Sequence, residues 1–283
     1  MEKEIRIVVP VARTRHPMLM DCVRNIRMTT GREPIVWECG GNVAVARNEA
    51  LASLDPGWTI FVDTDAFPVQ KDWDQALVKA AEKAGAVIAN GREFFDFGDK
   101  LEPANPGTRI IGPPINCAGA LLAVDTTKCG ARFDENLGYS SGTLGPCIED
   151  TDFARAVAEA GGKMIREPSI PFLHKDRGAT DMKGFLATDE AFCYWIVGLL
   201  VSAKWALGMP GFFEGIGRVP ADGRWLGKGV SPERLLEGYE PAIERMPADV
   251  ARRFRRIVQR EALSHFGDRL RKISISTKGE KTC

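Results

Sequence analysis

The chain has 283 residues, of which 44% are hydrophobic and 27% charged, with 38 Lys and Arg against 38 Asp and Glu. This composition excludes a disordered or fibrous chain, and the zero net charge excludes a protein whose whole surface is a basic nucleic-acid platform. The seven cysteines are scattered and form no Cys-x-x-Cys pair, so neither a zinc ribbon nor a secreted disulfide framework is expected. A start without the apolar stretch of a secretory signal predicts a cytoplasmic protein, free or peripheral on a membrane.

Strands and helices are predicted to alternate along the first two thirds of the chain. Apolar and β-branched runs predict strands over residues 5–9, 35–37, 58–62, 86–89 and 119–124, with Pro10 ending the first. Helical spacing of apolar residues follows Asn42 and Asp72, both suitable caps, and another helix is expected to begin at Asp150 or Thr151. Residues 90–114 are predicted to be irregular or a small antiparallel excursion, and 163–166 an edge-like strand. The alternation predicts an α/β fold with an open, mostly parallel sheet flanked by helices.

The C-terminal part differs in composition. Its longest apolar run, residues 191–203, is too short to span a bilayer and predicts a buried or membrane-surface helix. Residues 243–283 contain 11 Lys and Arg against 5 Asp and Glu, a net charge of +6. A helix here would have an apolar face and a basic face. One interpretation is a docked helix whose arginines are solvated, and the other is a surface that contacts an acidic partner. The basic face comprises Arg252, Arg253, Arg255, Arg256 and Arg260.

Asp63-Thr64-Asp65 directly follows the predicted strand over residues 58–62. Ligands of open α/β sheets bind at the carboxyl ends of the strands. Two carboxylates at such a position favour a hard divalent cation that could also hold a diphosphate. A turn or a helix cap is the alternative interpretation.

A second group of candidate residues comprises Glu149, Asp150 and His174. Glu149 and Asp150 open a predicted helix, where a carboxylate is most often a cap and where the helix dipole is expected to hold its pKa down. An ionised carboxylate there could still remove a proton from an alcohol. His174 is one of three histidines, and it could be structural or complete a carboxylate metal site.

The order of these segments resembles the GT-A glycosyltransferases, especially family 2. The resemblance covers residues 5–175 and comprises IRIVVPV, NVAVARNEAL, WTIFVDTDAFP, NCAGALLAVDTTKCGARFDENL and IEDTDFARAVAEAGGKMIREPSIPFLH. It implies a GT-A domain over residues 1–185 and a mostly helical region over 186–283 packed on it. The Gln-x-x-Arg-Trp motif of processive synthases is missing, so polymer synthesis through a membrane channel is not expected.

The resemblance also implies roles for individual residues. Asp63 and Asp65 would face the nucleotide ribose and the metal-bound diphosphate, Asp65 being the firmer ligand, and His174 would be the late metal ligand. Asp150 would be the catalytic base, with Glu149 beside it at the acceptor site. The nucleotide side would include Pro10, Glu38, Arg47 and Asn48.

The implied activity is transfer of a sugar from a nucleotide-sugar, expected to be a UDP-sugar, to an acceptor hydroxyl with Mn²⁺ or Mg²⁺ and with inversion. Residues 175–184 are expected to form a loop that closes over the donor. The acceptor remains open between a glycan, a lipid carrier and a hydroxymethylated DNA base of the kind a phage-encoded enzyme would modify.

Three other functions are compatible with parts of the sequence. Gly138-Tyr139-Ser140-Ser141-Gly142 matches the nucleophile elbow of serine hydrolases but lacks the strand before it and the helix after it. A sugar nucleotidyltransferase would also use carboxylates at strand ends. A catalytically silent module that binds a sugar or a surface is the non-enzymatic alternative, and metal-dependent binding of a nucleoside diphosphate separates it from the transferase.

Overall fold

A computed structural model describes residues 4–11, 17–38, 42–98, 100–104, 107–112, 119–137, 148–175, 189–209, 211–213 and 239–266. Within them the strands are β1 Ile5–Val11, β2 Ile35–Glu38, β3 Trp58–Val62, β4 Ala66–Pro68, β5 Ile88–Asp96, β6 Leu101–Pro103, β7 Ile110–Gly112, β8 Leu121–Asp125 and β9 Met164–His174. The helices are α1 Leu19–Thr30, α2 Val43–Ser53, α3 Trp73–Ala84, α4 Glu149–Glu159, α5 Asp189–Ala206 and α6 Ala248–Phe266.

The described strands form one mixed sheet in the order β2-β1-β3-β8-β5-β9-β4, with β6 on β5 and β7 on β9. Strands β2, β1, β3, β5 and β9 run in one direction, while β8 and β4 are reversed. The predicted α/β class with mainly parallel strands is therefore confirmed. This is the architecture expected from the resemblance to the GT-A fold. The reversal of β8 places its amino end beside the carboxyl end of β3.

Helices cover both faces of the sheet. Apolar side chains of α1 and α3 pack on one face, where Cys22, Ile26, Trp73 and Leu77 are fully buried. Helices α2 and α4 pack on the other face. The apolar side chains of the helices lose contact with water when they pack on the sheet. Because helices cover both faces, every residue of β3 and β8 is buried.

The C-terminal helices form a third apolar cluster. Ile196, Val197 and Leu200 of α5 pack with Phe254 and Val258 of α6. The cluster also includes Leu137, which precedes the undescribed segment before α4. The arginine-rich face of α6 thus lies opposite a packed apolar face, and the predicted helix is confirmed. No helix in the described part of the chain is long and apolar enough to cross a membrane.

Several sequence-based element predictions were wrong in detail. Pro10 does not end β1, because β3 pairs with β1 only as far as Val8 and Pro10 therefore needs no N–H on that side. The strand predicted over 86–89 extends to Asp96, and β6 pairs with its end as a small antiparallel excursion. Asp72 precedes α3 as expected, but its backbone is left-handed (φ 54°) and its side chain makes no cap hydrogen bond.

Strand β9 was the largest misassignment. The edge-like strand predicted over 163–166 is an eleven-residue interior strand that continues through Pro171 to His174, between β5 and β4. Pro171 is tolerated there because the pairing of β5 and β9 is irregular between Asn90 and Arg92. The motif over 138–142 and residues 176–184 of the predicted loop lie outside the described residues.

Candidate active site

The carboxyl ends of β2, β1 and β3 meet at one edge of the sheet. Val11 lies opposite Glu38, and Val8 lies opposite Phe61, so Pro10 is level with Asp63 on the neighbouring strand. Glu38 is exposed at this edge and Pro10 is buried. Residues predicted for the nucleotide side from two separate strands therefore share one edge with the first aspartate of the Asp-x-Asp motif.

The Asp-x-Asp segment is a tight turn held by backbone hydrogen bonds. Asp63 N–H donates to Ala120 O at 2.9 Å, and Ala66 N–H donates to Asp63 O at 3.0 Å. Beneath the turn, the buried Cys22 thiol lies 3.5 Å from Asp63 O, and burial raises its pKa to about 12, so it stays a protonated donor. The turn leaves about a third of the Asp63 and Asp65 side chains exposed, 31% and 27%.

His174 is brought to Asp65 by the pairing of β4 with β9. Ala66 lies opposite His174, and Lys175 N–H donates to Asp65 O at 2.9 Å. His174 Nε2 is 3.3 Å from Asp65 Oδ2. Asp65 and His174 are therefore adjacent across a strand pair, although they are 109 positions apart in the sequence. The resemblance predicts that both bind one metal.

Arg47 lies beneath the site rather than in it. Its side chain is 1% exposed, and Nη2 donates to Asp63 Oδ1 at 2.9 Å and to Gly119 O at 3.3 Å. Nη1 donates to Glu149 Oε1 at 2.7 Å. Arg47 is thus a buried bridge between the Asp-x-Asp turn and the start of α4, and its role on the nucleotide side stays a prediction. The planar guanidinium holds its N–H groups in fixed, divergent directions, which suits these three acceptors on different segments.

Asp150 is held at the start of α4 by two backbone donors. Gly119 N–H donates to Asp150 Oδ2 at 2.5 Å, and Thr151 N–H donates to Asp150 Oδ1 at 2.6 Å. A Cβ atom on Gly119 would lie 2.8 Å from both Cβ and Oδ2 of Asp150. The absence of a side chain at position 119 therefore permits this close approach.

The expectation that the helix dipole lowers the Asp150 pKa was wrong. Burial first, and then the negative charge of Glu149, raise the pKa of Asp150 to about 7. Desolvation outweighs the Arg47 charge and the two backbone donors, which act in the opposite direction. Burial also raises the pKa values of Glu149 and Asp63, against the lowering effect of Arg47. Asp150 can therefore gain and lose a proton near neutral pH.

Asn48 is not part of the cluster. Its Nδ2 donates to Phe133 O at 3.0 Å, and its Oδ1 accepts from Phe133 N–H at 2.9 Å. Asn48 therefore fixes the segment after β8, and its role on the nucleotide side stays a prediction.

Sequence reasoning missed three residues of the arrangement. Glu93 contacts His174 Nδ1 at 2.5 Å, Gly119 bridges Arg47 and Asp150, and Lys204 bonds Asp152 in the first turn of α4 at 2.8 Å. The small-residue strand start was a signal for Gly119. The position of Lys204 at the end of the apolar run was a weaker signal. No signal pointed to Glu93, because its segment was predicted to be irregular.

The donor atoms available for a metal are few. No group of three or more His, Cys, Asp or Glu side chains suited to a metal occurs among the residues that the structure describes. Asp65 and His174 supply one carboxylate and one imidazole at 3.3 Å. This donor pair fits a divalent cation such as Mn²⁺ whose other ligands come from a diphosphate or water.

Comparisons with known proteins give weak structural similarities. No protein-family model and no curated protein matches the chain. The crystal structure of A197 from STIV is 17% identical and covers 62% of this chain and 85% of its own, with a TM-score of 0.41. GalNAc-T7, crystallised with UDP, GalNAc and Mn²⁺, is 11% identical with a TM-score of 0.47, and the match covers 94% of this chain but 58% of GalNAc-T7. Because both TM-scores are low, function has to be inferred from the residues of the site.

Proposed function

We propose that this chain is a metal-dependent GT-A glycosyltransferase that moves a sugar from a nucleotide-sugar to an acceptor hydroxyl. The observation that carries the proposal is the buried Arg47 bridge between Asp63 and Glu149. It ties the Asp-x-Asp turn, where Asp65 lies 3.3 Å from His174, to the start of the helix that holds Asp150. This constellation supplies a cation site at a strand end and a carboxylate able to act as a base. The sequence resemblance adds the donor class, for which a UDP-sugar is proposed.

Asp65 and His174 would hold the cation together with the donor diphosphate. A bound divalent cation would neutralise the charge that develops on the diphosphate as it leaves. Asp63 would face the ribose, and its hydrogen bond from the Arg47 guanidinium would hold its carboxylate in position. Glu38 and Pro10 share this edge and would border the nucleotide.

Asp150 would remove the proton from the acceptor hydroxyl. The acceptor oxygen then forms a bond to the anomeric carbon as the bond from that carbon to the diphosphate oxygen breaks, and the diphosphate keeps the electron pair. A single displacement inverts the configuration at the anomeric carbon. A pKa of about 7 supports this role, because a base that titrates near neutral pH combines ionisation with proton affinity.

An acidic acceptor is proposed from the face of α6. Arg252, Arg253, Arg256 and Arg260 are exposed, whereas Arg255 pairs with Glu240. The apolar face of α6 packs in the third apolar cluster, so this helix can offer charge to phosphates but cannot insert into lipid. The proposal therefore favours an acceptor that carries phosphate groups.

Calorimetric binding of UDP-, GDP-, dTDP- and CMP-sugars with and without Mn²⁺ tests the donor half. We expect one nucleotide-sugar to bind only with Mn²⁺, and this Mn²⁺-dependent binding to be lost in Asp65→Asn. Asp21→Asn, an exposed carboxylate of α1 with 63% of its side chain accessible, is the matched control and should bind as the wild type does.

Three outcomes would contradict the proposal. Binding of a nucleoside triphosphate with release of pyrophosphate on adding a sugar phosphate would identify a nucleotidyltransferase. Donor binding that is equal with and without metal would remove the role of Asp65. No binding of any donor would leave only the silent sugar- or surface-binding module.

A further inference from the structure

We propose that Glu93 is a positioning residue that fixes the His174 ring as its Nδ1–H tautomer, so that Nε2 is the metal-binding atom. The inference rests on the proposed function, because it concerns the same cation site. It adds a residue that the sequence resemblance does not include. Glu93 acts through His174 and does not itself touch the cation.

The sheet register brings Glu93 to the histidine. Before the irregularity in the β5–β9 pairing Asn90 lies opposite Arg166, but two residues later Arg92 lies opposite Pro171, so β9 contains three extra residues at this point. Side chains along a strand alternate between the two faces of the sheet. An odd number of extra residues in β9 therefore changes which β9 side chains share a face with a given β5 side chain. As a result Glu93 lies opposite Phe172, on the face that His174 shares.

The hydrogen bond to Glu93 determines the tautomer. Glu93 Oε1 is 2.5 Å from His174 Nδ1, and both side chains are 10% exposed. An ionised carboxylate can only accept, so Nδ1 must carry the hydrogen in this pair. In the neutral imidazole, Nε2 then presents its lone pair toward Asp65 Oδ2, which is 3.3 Å away. A divalent cation between these two atoms would bond to the lone pairs of both.

The ring has little freedom to turn away from this orientation. The Phe95 ring packs edge-on against the imidazole, with centroids 5.9 Å apart at 66°. The backbone of His174 is held opposite Ala66, next to the Asp-x-Asp turn. Carboxylate partners of this kind orient metal-binding histidines, and their loss typically weakens metal affinity about 10- to 100-fold.

Mn²⁺ binding measured by electron paramagnetic resonance tests the proposal on the full-length chain, with Mn²⁺ alone and with Mn²⁺ plus UDP. Glu93→Gln offers an amide that can accept from Nδ1 or donate to it, and Glu93→Leu offers neither. We expect the Mn²⁺ dissociation constant to rise about 10-fold or more in Glu93→Leu and less in Glu93→Gln. Glu167→Gln is the matched control, because Glu167 is a buried β9 carboxylate bonded to Arg109 and Ser169, and it should bind Mn²⁺ unchanged.

Nitrogen-15 NMR of the histidine rings gives a readout that needs no metal. The chain has three histidines, so the spectrum of His174→Ala identifies the His174 signals. The proposal expects a pure Nδ1–H tautomer in the wild type and in Glu167→Gln, and a mixture in Glu93→Leu. Far-ultraviolet circular dichroism of Glu93→Leu checks that the variant is folded.

The outcomes separate this inference from the proposed function. If the wild type binds Mn²⁺ and His174→Ala loses it, while both Glu93 variants bind normally, the role of Glu93 is wrong and the metal site stands. If the wild type binds no Mn²⁺ with or without UDP, the metal-dependent function and the inference fall together. An Nε2–H tautomer in the wild type overturns the inference directly.

Discussion

Arg47 and Lys204 are both buried cations that bridge carboxylates, yet they lie in different regions of the molecule. Arg47 joins Asp63 to Glu149 beneath the candidate site. Lys204 of α5 joins Asp152 of α4 to Asp134 of the segment after β8, each at 2.8 Å. The guanidinium spreads its donors over several directions and so organises a site, whereas the ammonium is a point charge that anchors a helix. The comparison separates residues that shape the chemistry from residues that hold the C-terminal helices in place.

The largest expected effect is that of Arg47→Met. The substitution leaves the buried Glu149 and the partly exposed Asp63 without their cation, and the loss at Glu149 is expected to cost about 3 kcal/mol or more in the free energy of unfolding. Donor binding should fall as well, because the Asp-x-Asp turn loses its support. Urea unfolding measures the change in stability, and calorimetry measures the change in donor affinity. Arg24→Met, at an arginine with 68% of its side chain exposed, is the control, and equal stability of the two variants would show that the bridge contributes nothing.

Lys204→Met is expected to destabilise the protein by about 3 kcal/mol while leaving the donor dissociation constant unchanged. Lys204 is 3% exposed. Its loss leaves the Asp152 carboxylate buried without a cation, with a hydrogen bond at 2.8 Å from Trp205 Nε1 remaining. Adding Asp152→Asn should restore part of the stability, because the uncompensated charge is removed. A weakened donor affinity in Lys204→Met would mean that the C-terminal helices shape the donor site and that the contrast with Arg47 is wrong.

Gly119→Ala is expected to lower kcat about 100-fold with little change in donor affinity, since a displacement of about 1 Å at a catalytic group can have this effect. The new Cβ atom would lie 2.8 Å from the Asp150 carboxylate. Single-turnover kinetics separate the two parameters. Gly112→Ala, where a Cβ atom would meet nothing within 4 Å, is the control. If both glycine variants retain full kcat, Asp150 is not the base.

The smallest effect is expected from pH. With the pKa of Asp150 near 7, kcat should fall about tenfold per pH unit below neutrality and level off above it. Because this raised pKa makes the folded protein hold the proton more tightly than the unfolded chain, the free energy of unfolding should decrease as pH rises from about 4 to about 7. Asp150→Asn should abolish turnover and make the pH dependence of the free energy of unfolding weaker, leaving the part that comes from Glu149 and Asp63. A kcat that is flat between pH 6 and 8 would exclude Asp150 as the titrating base.

Local signals in the sequence were sufficient for most of the elements. Asn42 caps α2 as predicted, with its Oδ1 accepting from Ala44 N–H at 2.9 Å. Gly85 ends α3, and β3 has the predicted bounds. These features depend on residues within a few positions of one another. The bounds of β5 and β9 were missed because both strands gain their stability from partners far away in the sequence, which override the turn signals of Gly91 and Pro171.

The sequence by itself determined the α/β class, the carboxylates at the end of β3, and the acidic pair at the start of α4. Such features follow from apolar periodicity and from residue types that occur together in short segments. Only the tertiary structure decided that Arg47 is a buried bridge, that Asp150 titrates near neutral pH, and that Glu93 faces His174. The first two depend on burial between packed elements, and the third depends on the three-residue register shift between β5 and β9. Neither burial nor register has a counterpart in a local sequence pattern.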